Sequence, residues 1–318
     1  MSLAPVALLG PAIPVQAVDR IVAWGDINYN VSATVAPPAV RVPGVLQIAA
    51  GDFHSVALTR DGSVLAWGDD RFGQTSVPDF LQRTAVEVAA GNVHTLALTH
   101  DGNVVCWGPL AGQPGDYGQC EVPSNLGPVI QVAAGAVHSL ALRADGTVCA
   151  WGLNMSGQCD VPEGLNHVVA IAGGMYHSLA LKADGTVVAW GDNRQHELEA
   201  PQGLSNVIAI AAGGFHNVAL LRNGTVVSWG TYGLAQQEAP AGLNNVVAIA
   251  TGDYHTVALK SDGQVVAWGF NTAGQCQVPA GLANVVAIAA RGNHSMVLVQ
   301  DKVVASRPNR PVSRPVAQ

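Results

Sequence analysis

The chain has 318 residues, of which 49% are apolar and only 12% charged, and its net charge is −7. This charge is unfavourable for nucleic-acid binding, which needs clustered Lys and Arg. No apolar run reaches the roughly 18 residues of a transmembrane helix, because Gly, His and Asp interrupt every apolar stretch. We therefore expect neither a nucleic-acid partner nor a membrane span.

Residues 1–20 are an apolar segment rich in Pro and Ala. Its run ending in Val15-Gln16-Ala17 faintly resembles a signal peptide, but it has no positively charged start and prolines break its apolar part. We interpret residues 1–20 as an extended N-terminal arm that docks on its own domain or on a neighbouring chain. The compartment stays open, and an extracellular or virion-associated protein is compatible with the sequence.

From residue 21 to about residue 300 the chain repeats one unit, best seen in residues 168–193. Every tryptophan is part of a Trp-Gly pair, at Trp24, Trp67, Trp107, Trp151, Trp190, Trp229 and Trp268. A histidine recurs in one register, at His54, His94, His138, His177, His216, His255 and His294. The later units are 39 residues apart, and two earlier intervals are 43 and 44. A period near 40 with several short strands is typical of a β-propeller.

Each unit contains three predicted strands. The first, residues 168–172, is continuously apolar, which is expected of a strand buried on both faces. The second runs over 177–182, an Asp184-Gly185 hairpin turn follows, and the third runs over 186–190. These units predict an all-β fold, a seven-bladed β-propeller with about three antiparallel strands per blade.

The chain opens with a lone third strand, 21–24, which we expect to close the ring by pairing with the last unit. Residues 302–306 resemble a third strand that lacks its Trp, and they are the alternative candidate for the closing position. We divide the chain into the arm 1–20, the propeller 21–306 and a Pro/Arg-rich C-terminal tail, 307–318.

The unit, WGxNxxGQxxVPxGLxxVVAIAAGxxHSLALKxDGTVVAWG, resembles the regulator-of-chromosome-condensation repeat family over roughly residues 21–300. It is most similar in appearance to the propeller-type β-lactamase inhibitor proteins, which are seven-bladed with three strands per blade. Those inhibitors bind their target enzyme through aromatic residues just before the repeat histidine. Carried over by position, the resemblance implies that Phe53, Tyr176, Phe215 and Tyr254 contact a protein partner.

We interpret the histidines and tryptophans as structural. Equivalent positions in a propeller circle the axis, too far apart to share a metal ion with bonds of about 2.0–2.1 Å. Each tryptophan follows a small residue, which suits a large ring packed against the next blade. We predict no metal site, no cofactor and no catalytic constellation. The segment 196–200, HELEA, lacks the second histidine of a zinc-protease motif and is interpreted as a surface loop.

Five cysteines are present, at Cys106, Cys120, Cys149, Cys159 and Cys276. Three of them follow a Gly-Gln pair in different units, so they lie in different blades and beyond the roughly 7 Å Cα limit for a disulfide. We expect free thiols rather than a disulfide framework.

Nine of the ten Phe and Tyr residues fall in turns at one end of the blades, namely Phe53, Tyr176, Phe215, Tyr254, Tyr29, Phe72, Tyr117, Tyr232 and Phe270. Asp and Arg residues surround them, including Asp52, Asp69, Asp192 and Arg291. Aromatic residues within a polar surround are typical of protein-binding surfaces, whereas inward packing over the blade tops is the alternative. Two insertions on the same side, 27–40 and 109–118, mark a second candidate contact.

The leading hypothesis is a non-enzymatic propeller that binds a protein through this aromatic-rich face. The alternative is a structural or decoration subunit of a larger extracellular or viral assembly, held by residues 1–20 and 307–318. A third hypothesis, an enzyme with a site on the axis, depends only on the versatility of the fold.

Overall fold

A computed structural model describes residues 18–26, 40–230 and 238–300. Its strands form seven antiparallel sheets, each one blade. Blade 1 contains β3 (Val45–Ala50), β4 (His54–Thr59) and β5 (Val64–Gly68); blade 2, β6 (Ala85–Ala90), β7 (Thr95–Thr99) and β8 (Val104–Trp107); blade 3, β9 (Val129–Ala134), β10 (His138–Arg143) and β11 (Val148–Gly152); blade 4, β12 (Val168–Gly173), β13 (His177–Lys182) and β14 (Val187–Gly191); blade 5, β15 (Val207–Ala212), β16 (Asn217–Leu221) and β17 (Val226–Trp229); blade 6, β18 (Val246–Thr251), β19 (His255–Lys260) and β20 (Val265–Gly269); blade 7, β21 (Val285–Arg291), β22 (His294–Gln300), β1 (Val18–Gly25) and β2 (Val40–Pro43). The predicted seven-bladed propeller is confirmed.

The first strand of each blade faces the axis, and β21 of blade 7 packs beside both β18 and β3, so the seven inner strands come full circle. Blade 7 is completed from the other end of the chain. β1 pairs with β22, with Asp19 opposite Gln300 and Gly25 opposite His294. This confirms that the N-terminal strand completes the last blade, and extends it beyond the predicted 21–24. Residues 302–306 lie outside the described ranges. β2, which pairs with the outer edge of β1, was not predicted.

The two ends of the blades differ in what they carry. In blade 4, His177 at the start of β13 pairs with Gly191 at the end of β14, so the turn before the histidine and the connection after Trp-Gly share one end. We call this end of all blades the histidine face. The opposite end, which carries the Asp-Gly hairpin turns and the beginnings of the first strands, is the hairpin face.

Tryptophans fill the spaces between blades. Trp190 is buried, and its Nε1 donates to the carbonyl oxygen of Gln158 in the preceding connection at 2.9 Å. Trp24 on β1 makes the same bond to Gln275 at 2.9 Å. The strand supplied by the N-terminus therefore occupies its blade in the same way as a contiguous third strand. Trp67 is only partly buried.

The prediction that the first strands are buried on both faces is wrong at their second residue. There the pairing with the second strand shifts by one, a β-bulge, in every blade. A bulged residue is left out of the ladder, and here its aliphatic side chain is exposed. We call these seven residues the aliphatic collar: Leu46, Val86, Ile130, Val169, Ile208, Val247 and Val286.

Beside the collar, polar side chains link the inner strands of blades 1 to 3. Gln47 donates through Nε2 to the Val88 carbonyl oxygen and accepts from the Val88 N–H, both at 3.0 Å. Glu87 has the same position one blade later and accepts from the Val132 N–H at 3.0 Å. Burial raises the pKa of Glu87 to about 7. Its protonated acid can donate as the Gln47 amide does.

Glu87→Gln is therefore expected to change the pH dependence of stability. The folded-state pKa of Glu87 lies above its unfolded value of 4.5, so the fold loses stability as the pH rises from about 4.5 to about 7. The variant removes this loss, so its free energy of unfolding should exceed that of the wild type by about 3 kcal/mol at pH 8 and differ little from it at pH 4. Urea unfolding at both pH values measures this difference. Gln131→Glu, at the matching position, should introduce a similar loss; an equal effect of Glu87→Gln at both pH values would contradict the assignment.

Candidate functional site

The repeat histidines lie buried beneath the histidine face and connect successive blades. In six of them, Nε2 is within hydrogen-bond distance of the side chain that follows the next blade's histidine. These pairs are His54–Thr95 at 2.9 Å, His94–Ser139 at 3.2 Å, His138–Ser178 at 3.0 Å, His177–Asn217 at 2.7 Å, His216–Thr256 at 3.1 Å and His255–Ser295 at 2.8 Å. The side chain of Ser178 then donates to the Gln158 carbonyl oxygen at 2.9 Å. Each of these six histidines thus joins two neighbouring blades.

The environment of these imidazoles keeps them neutral. Burial lowers the pKa of His177 to about 4 and that of His138 to about 3. The His177 ring lies directly against Gly174, where an added Cβ would be 2.7 Å from Nε2. This arrangement fits the structural interpretation of the histidines. Among the described residues, no three His, Cys, Asp or Glu side chains are grouped to hold a metal ion.

Blade 7 departs from the pattern at the axis. Where blade 4 has Gly174 before its histidine turn, blade 7 has Arg291. The Arg291 guanidinium donates to the carbonyl oxygens of Ala134 at 3.3 Å and Gly173 at 3.2 Å, and to Asp52 Oδ1 at 3.2 Å. These acceptors belong to blades 3, 4 and 1, so the side chain crosses the axis. It closes the histidine-face end of an axial channel of about 270 Å³.

Asp52 and Arg291 are both buried, as are Asp69 and Asp192, so the expectation that these four residues form an exposed polar surround is wrong. Burial is the main reason that the pKa of Asp52 rises to about 7; the negative charge of Asp253 raises it further, and Arg291 opposes the rise. Burial also raises the pKa of Asp253. The carboxylates at this end of the channel are held in the protein interior by a single cation.

Three of the aromatic residues predicted to contact a partner form one cluster, which we call the aromatic cluster. The rings of Phe215 and Tyr254 stack with centroids 5.3 Å apart, and Phe270 meets Tyr254 edge-on at 6.0 Å. The backbone explains the proximity, because the Phe270 N–H donates to the Tyr254 carbonyl oxygen at 2.9 Å. The residue after Trp-Gly and the residue before the histidine are thus neighbours on the histidine face.

The other candidate residues are less concentrated. Phe53 and Tyr176 are half-buried in the same register as Phe215 but belong to blades 1 and 4. Tyr117 is 52% exposed. Tyr29 and Tyr232, and most of the insertion 27–40, lie outside the described residues.

Phe72 lines a cleft of about 740 Å³ beside the second insertion, together with Pro109, Leu110 and Pro114. Leu110 is 75% exposed at its edge. At the base of the cleft, Cys106 and Cys120 form a disulfide, so the expectation of free thiols is wrong for this pair. The connection after β8 returns along the outside of its own blade and brings Cys120 to 5.1 Å from Cys106, Cα to Cα. The other three cysteines are free.

The segment 196–200 exposes His196 and Glu199, as expected of a surface loop, but it buries Glu197. Glu197 is buried at the position that Gln158 has in the preceding connection, and it accepts from the Gln195 N–H at 2.9 Å. Its carbonyl oxygen accepts from Trp229 Nε1 at 2.9 Å. His196 has a φ of 68°, which Gly157 provides one blade earlier. The sequence signal that could have identified this role is the repeat itself, because Glu197 lies 39 residues after Gln158, one full unit.

The described ranges contain one short helical turn, Asp79–Leu81, and no helix with the length and apolarity of a membrane span.

Comparison with known folds gives consistent matches. The yeast protein Prp20p from Saccharomyces cerevisiae is similar in structure with a TM-score of 0.71 and 20% sequence identity, covering 91% of this chain and 93% of that one. Human WBSCR16 matches with a TM-score of 0.70 and 21% identity over 90% and 100% of the two chains. The ectodomain of the Physcomitrella patens receptor kinase CR4 matches with a TM-score of 0.66 and 24% sequence identity, covering 83% of this chain and 72% of that one. At these identities the likeness establishes the fold alone.

No curated protein matches the chain by sequence. The profile of the regulator of chromosome condensation (RCC1) repeat, however, matches six stretches, 45–74, 85–119, 129–158, 168–197, 207–231 and 246–275. Together these stretches cover more than half of the chain, and each contains a repeat histidine. The chain therefore belongs to the regulator of chromosome condensation (RCC1) repeat family.

Proposed function

We propose that this protein is a non-enzymatic binding propeller that engages a protein partner through the aromatic-rich histidine face. The observation that carries the proposal is the aromatic cluster on the histidine face, in which Tyr254 contacts both Phe215 and Phe270. Rigid aromatic side chains supply large contact area at low entropic cost, and they dominate the binding energy of many protein interfaces.

The surroundings of the cluster support the same proposal. The repeat histidines below the face are neutral, buried and engaged between blades, so they serve the scaffold rather than chemistry at its surface. At the axis, the Arg291 side chain crosses beneath that face to the carbonyl oxygens of Ala134 and Gly173. Prp20p, a structural relative, has been studied for its binding to Gsp1p and histones. A protein partner agrees with that precedent.

Replacing the cluster tests the proposal. The immobilised wild-type chain is used to capture proteins from a lysate of the cells that naturally contain it, and the captured proteins are identified. Calorimetry then measures the affinity of the purified partner. The triple variant Phe215→Ala, Tyr254→Ala, Phe270→Ala is expected to weaken binding at least about thirtyfold, or about 2 kcal/mol.

Phe80→Ala is the matched control, because Phe80 is 71% exposed and lies in the connection leading into β6, away from the histidine face. It should bind like the wild type. Thermal unfolding of each variant verifies that the ring is intact. A folded triple variant that retains wild-type affinity would exclude the aromatic cluster as the contact.

A further inference from the structure

The aliphatic collar on the hairpin face has no role in the function proposed above. All seven positions carry Leu, Val or Ile, and the exposed fraction ranges from 46% for Ile208 to 57% for Ile130. In blades 1 to 3 the next residue along the strand, Gln47, Glu87 or Gln131, already lines the axial channel. Because neighbouring first strands pack against each other around the axis, these seven equivalent positions place exposed aliphatic side chains on every blade near the hairpin-face end of that channel. Exposed apolar surface of this kind marks a place that something else covers.

One end of the chain reaches this face. β1 begins at Val18, and its first residues pair with the last residues of β22, with Asp19 opposite Gln300. Because β22 runs from the histidine face to the hairpin face, the chain enters β1 on the hairpin face. The Asp19 carboxylate, which is buried, accepts from the Val45 N–H at 2.7 Å. Val45 directly precedes the collar residue Leu46, so the start of β1 is fixed beside the collar.

The segment before β1 has the composition of a covering element. Residues 1–17 contain no Asp, Glu, Lys, Arg or His, and their apolar side chains include Leu3, Leu8, Leu9 and Ile13. A segment of 17 residues spans up to about 60 Å when extended, which is ample to follow the collar. The C-terminal tail 301–318 leaves β22 on the same face, but it contains five charged residues, and an apolar ring does not offer them partners.

We propose that residues 1–17 dock in cis on the aliphatic collar. Leu, Val and Ile side chains of the arm pack against the seven bulged aliphatic residues. The interaction is apolar, so the screening of charges by salt does not weaken it. A second copy of the chain and a separate protein are the competing occupants.

Limited proteolysis with thermolysin, which cleaves at Leu, Ile and Val, tests the proposal on the full chain. The collar variant Val169→Ser, Ile208→Ser, Val247→Ser is expected to release the arm, so that cleavage within residues 1–17, followed by mass spectrometry, becomes at least about tenfold faster. Phe80→Ser, an exposed apolar position outside the collar, should leave the rate unchanged. Equal rates in the wild type and the folded collar variant would overturn the proposal.

A second measurement does not require the collar variant to fold. With Leu8→p-benzoylphenylalanine, irradiation should give a product of monomer mass whose cross-link maps to the first strands near the collar. A cross-link to the histidine face, or a product of dimer mass, would overturn docking in cis. Sedimentation of the wild type and of a chain lacking residues 1–17 tests whether the arm covers the collar. The truncated chain should expose the collar and self-associate. A truncated chain that stays monomeric and binds no more of an apolar dye than the wild type contradicts the proposal.

Discussion

Arg291→Ala is expected to lower the free energy of unfolding by about 3–5 kcal/mol at pH 8, the usual cost of removing one partner of a buried ion pair. The loss has two parts. Bonds to the carbonyl oxygens of Ala134 and Gly173 disappear, and Asp52 stays buried beside Asp253 without its cation. The second part dominates, because an unpaired carboxylate in the interior is far more costly than a lost hydrogen bond.

The pH dependence identifies the carboxylate as the cause. The folded-state pKa of Asp52 is about 7, above its model-peptide value of 3.8, so the fold loses stability as the pH rises from about 4 to about 7. Without Arg291 that pKa rises further, and the loss continues above pH 7. The variant should therefore differ from the wild type less at pH 5 than at pH 8, as measured by urea unfolding.

Adding Asp52→Asn to the Arg291→Ala variant supplies the control. The double variant should regain most of the lost stability at pH 8, because its neutral amide tolerates burial better than a carboxylate. A loss of equal size at pH 5 and pH 8, with no recovery in the double variant, would show that Arg291 acts through its carbonyl hydrogen bonds and its packing rather than through the charge of Asp52.

Trp24→Ala is expected to cost about 3–5 kcal/mol, the range for removing a buried tryptophan. Trp24 is buried and bonded to the Gln275 carbonyl oxygen at 2.9 Å, as Trp190 is to Gln158. Since β1 comes from the far end of the sequence, an equal cost for Trp24→Ala and Trp190→Ala would establish that blade 7 is as firmly built as blade 4.

Chemical unfolding of the two variants, with the slope of the transition compared as well as its midpoint, makes this measurement. Trp67→Ala, at a partly buried position, should cost less than either. If Trp24→Ala has an effect below about 1 kcal/mol, typical of surface positions, while Trp190→Ala has its full effect, then β1 does not complete the ring.

The fold was predictable because the same sequence pattern repeats in seven units. Asp184-Gly185, the histidine register and the Trp-Gly pairs each recur in most units, so a local error in one unit is corrected by the others. The burial of His177 and its companions was foreseen on the same ground, since a ring of equivalent positions has few uses other than joining blades.

Features that break local periodicity were not predictable in this way. The run from Val168 to Ala172 looks uniformly apolar, and nothing in it reveals the bulge that exposes Val169. The Cys106–Cys120 pair depends on the path of an irregular connection. Arg291 was misassigned to the surface although a signal existed: it replaces the glycine that stands at the same position in the other six units. A departure from an otherwise repeated glycine indicates a special environment.

The proposed partner-binding residues were predictable in part. Phe215, Tyr254 and Phe270 were singled out from the sequence, and their mutual contact depends on adjacency of blades 5 and 6, which a repeat predicts. Phe53 and Tyr176 share the register of Phe215 but belong to blades 1 and 4, so the repeat alone does not group them with the cluster.

The origin of blade 7 from both ends of the chain has a consequence for biosynthesis. β1 leaves the ribosome first, yet its neighbour β22 is translated some 275 residues later, which takes roughly 14 to 55 seconds at 5–20 residues per second. During this time β1 can pair with β2, but the edge of β1 that β22 will cover stays open and can join a foreign sheet. Chaperone demand should thus be greatest for ribosome-bound chains that stall before the last codons.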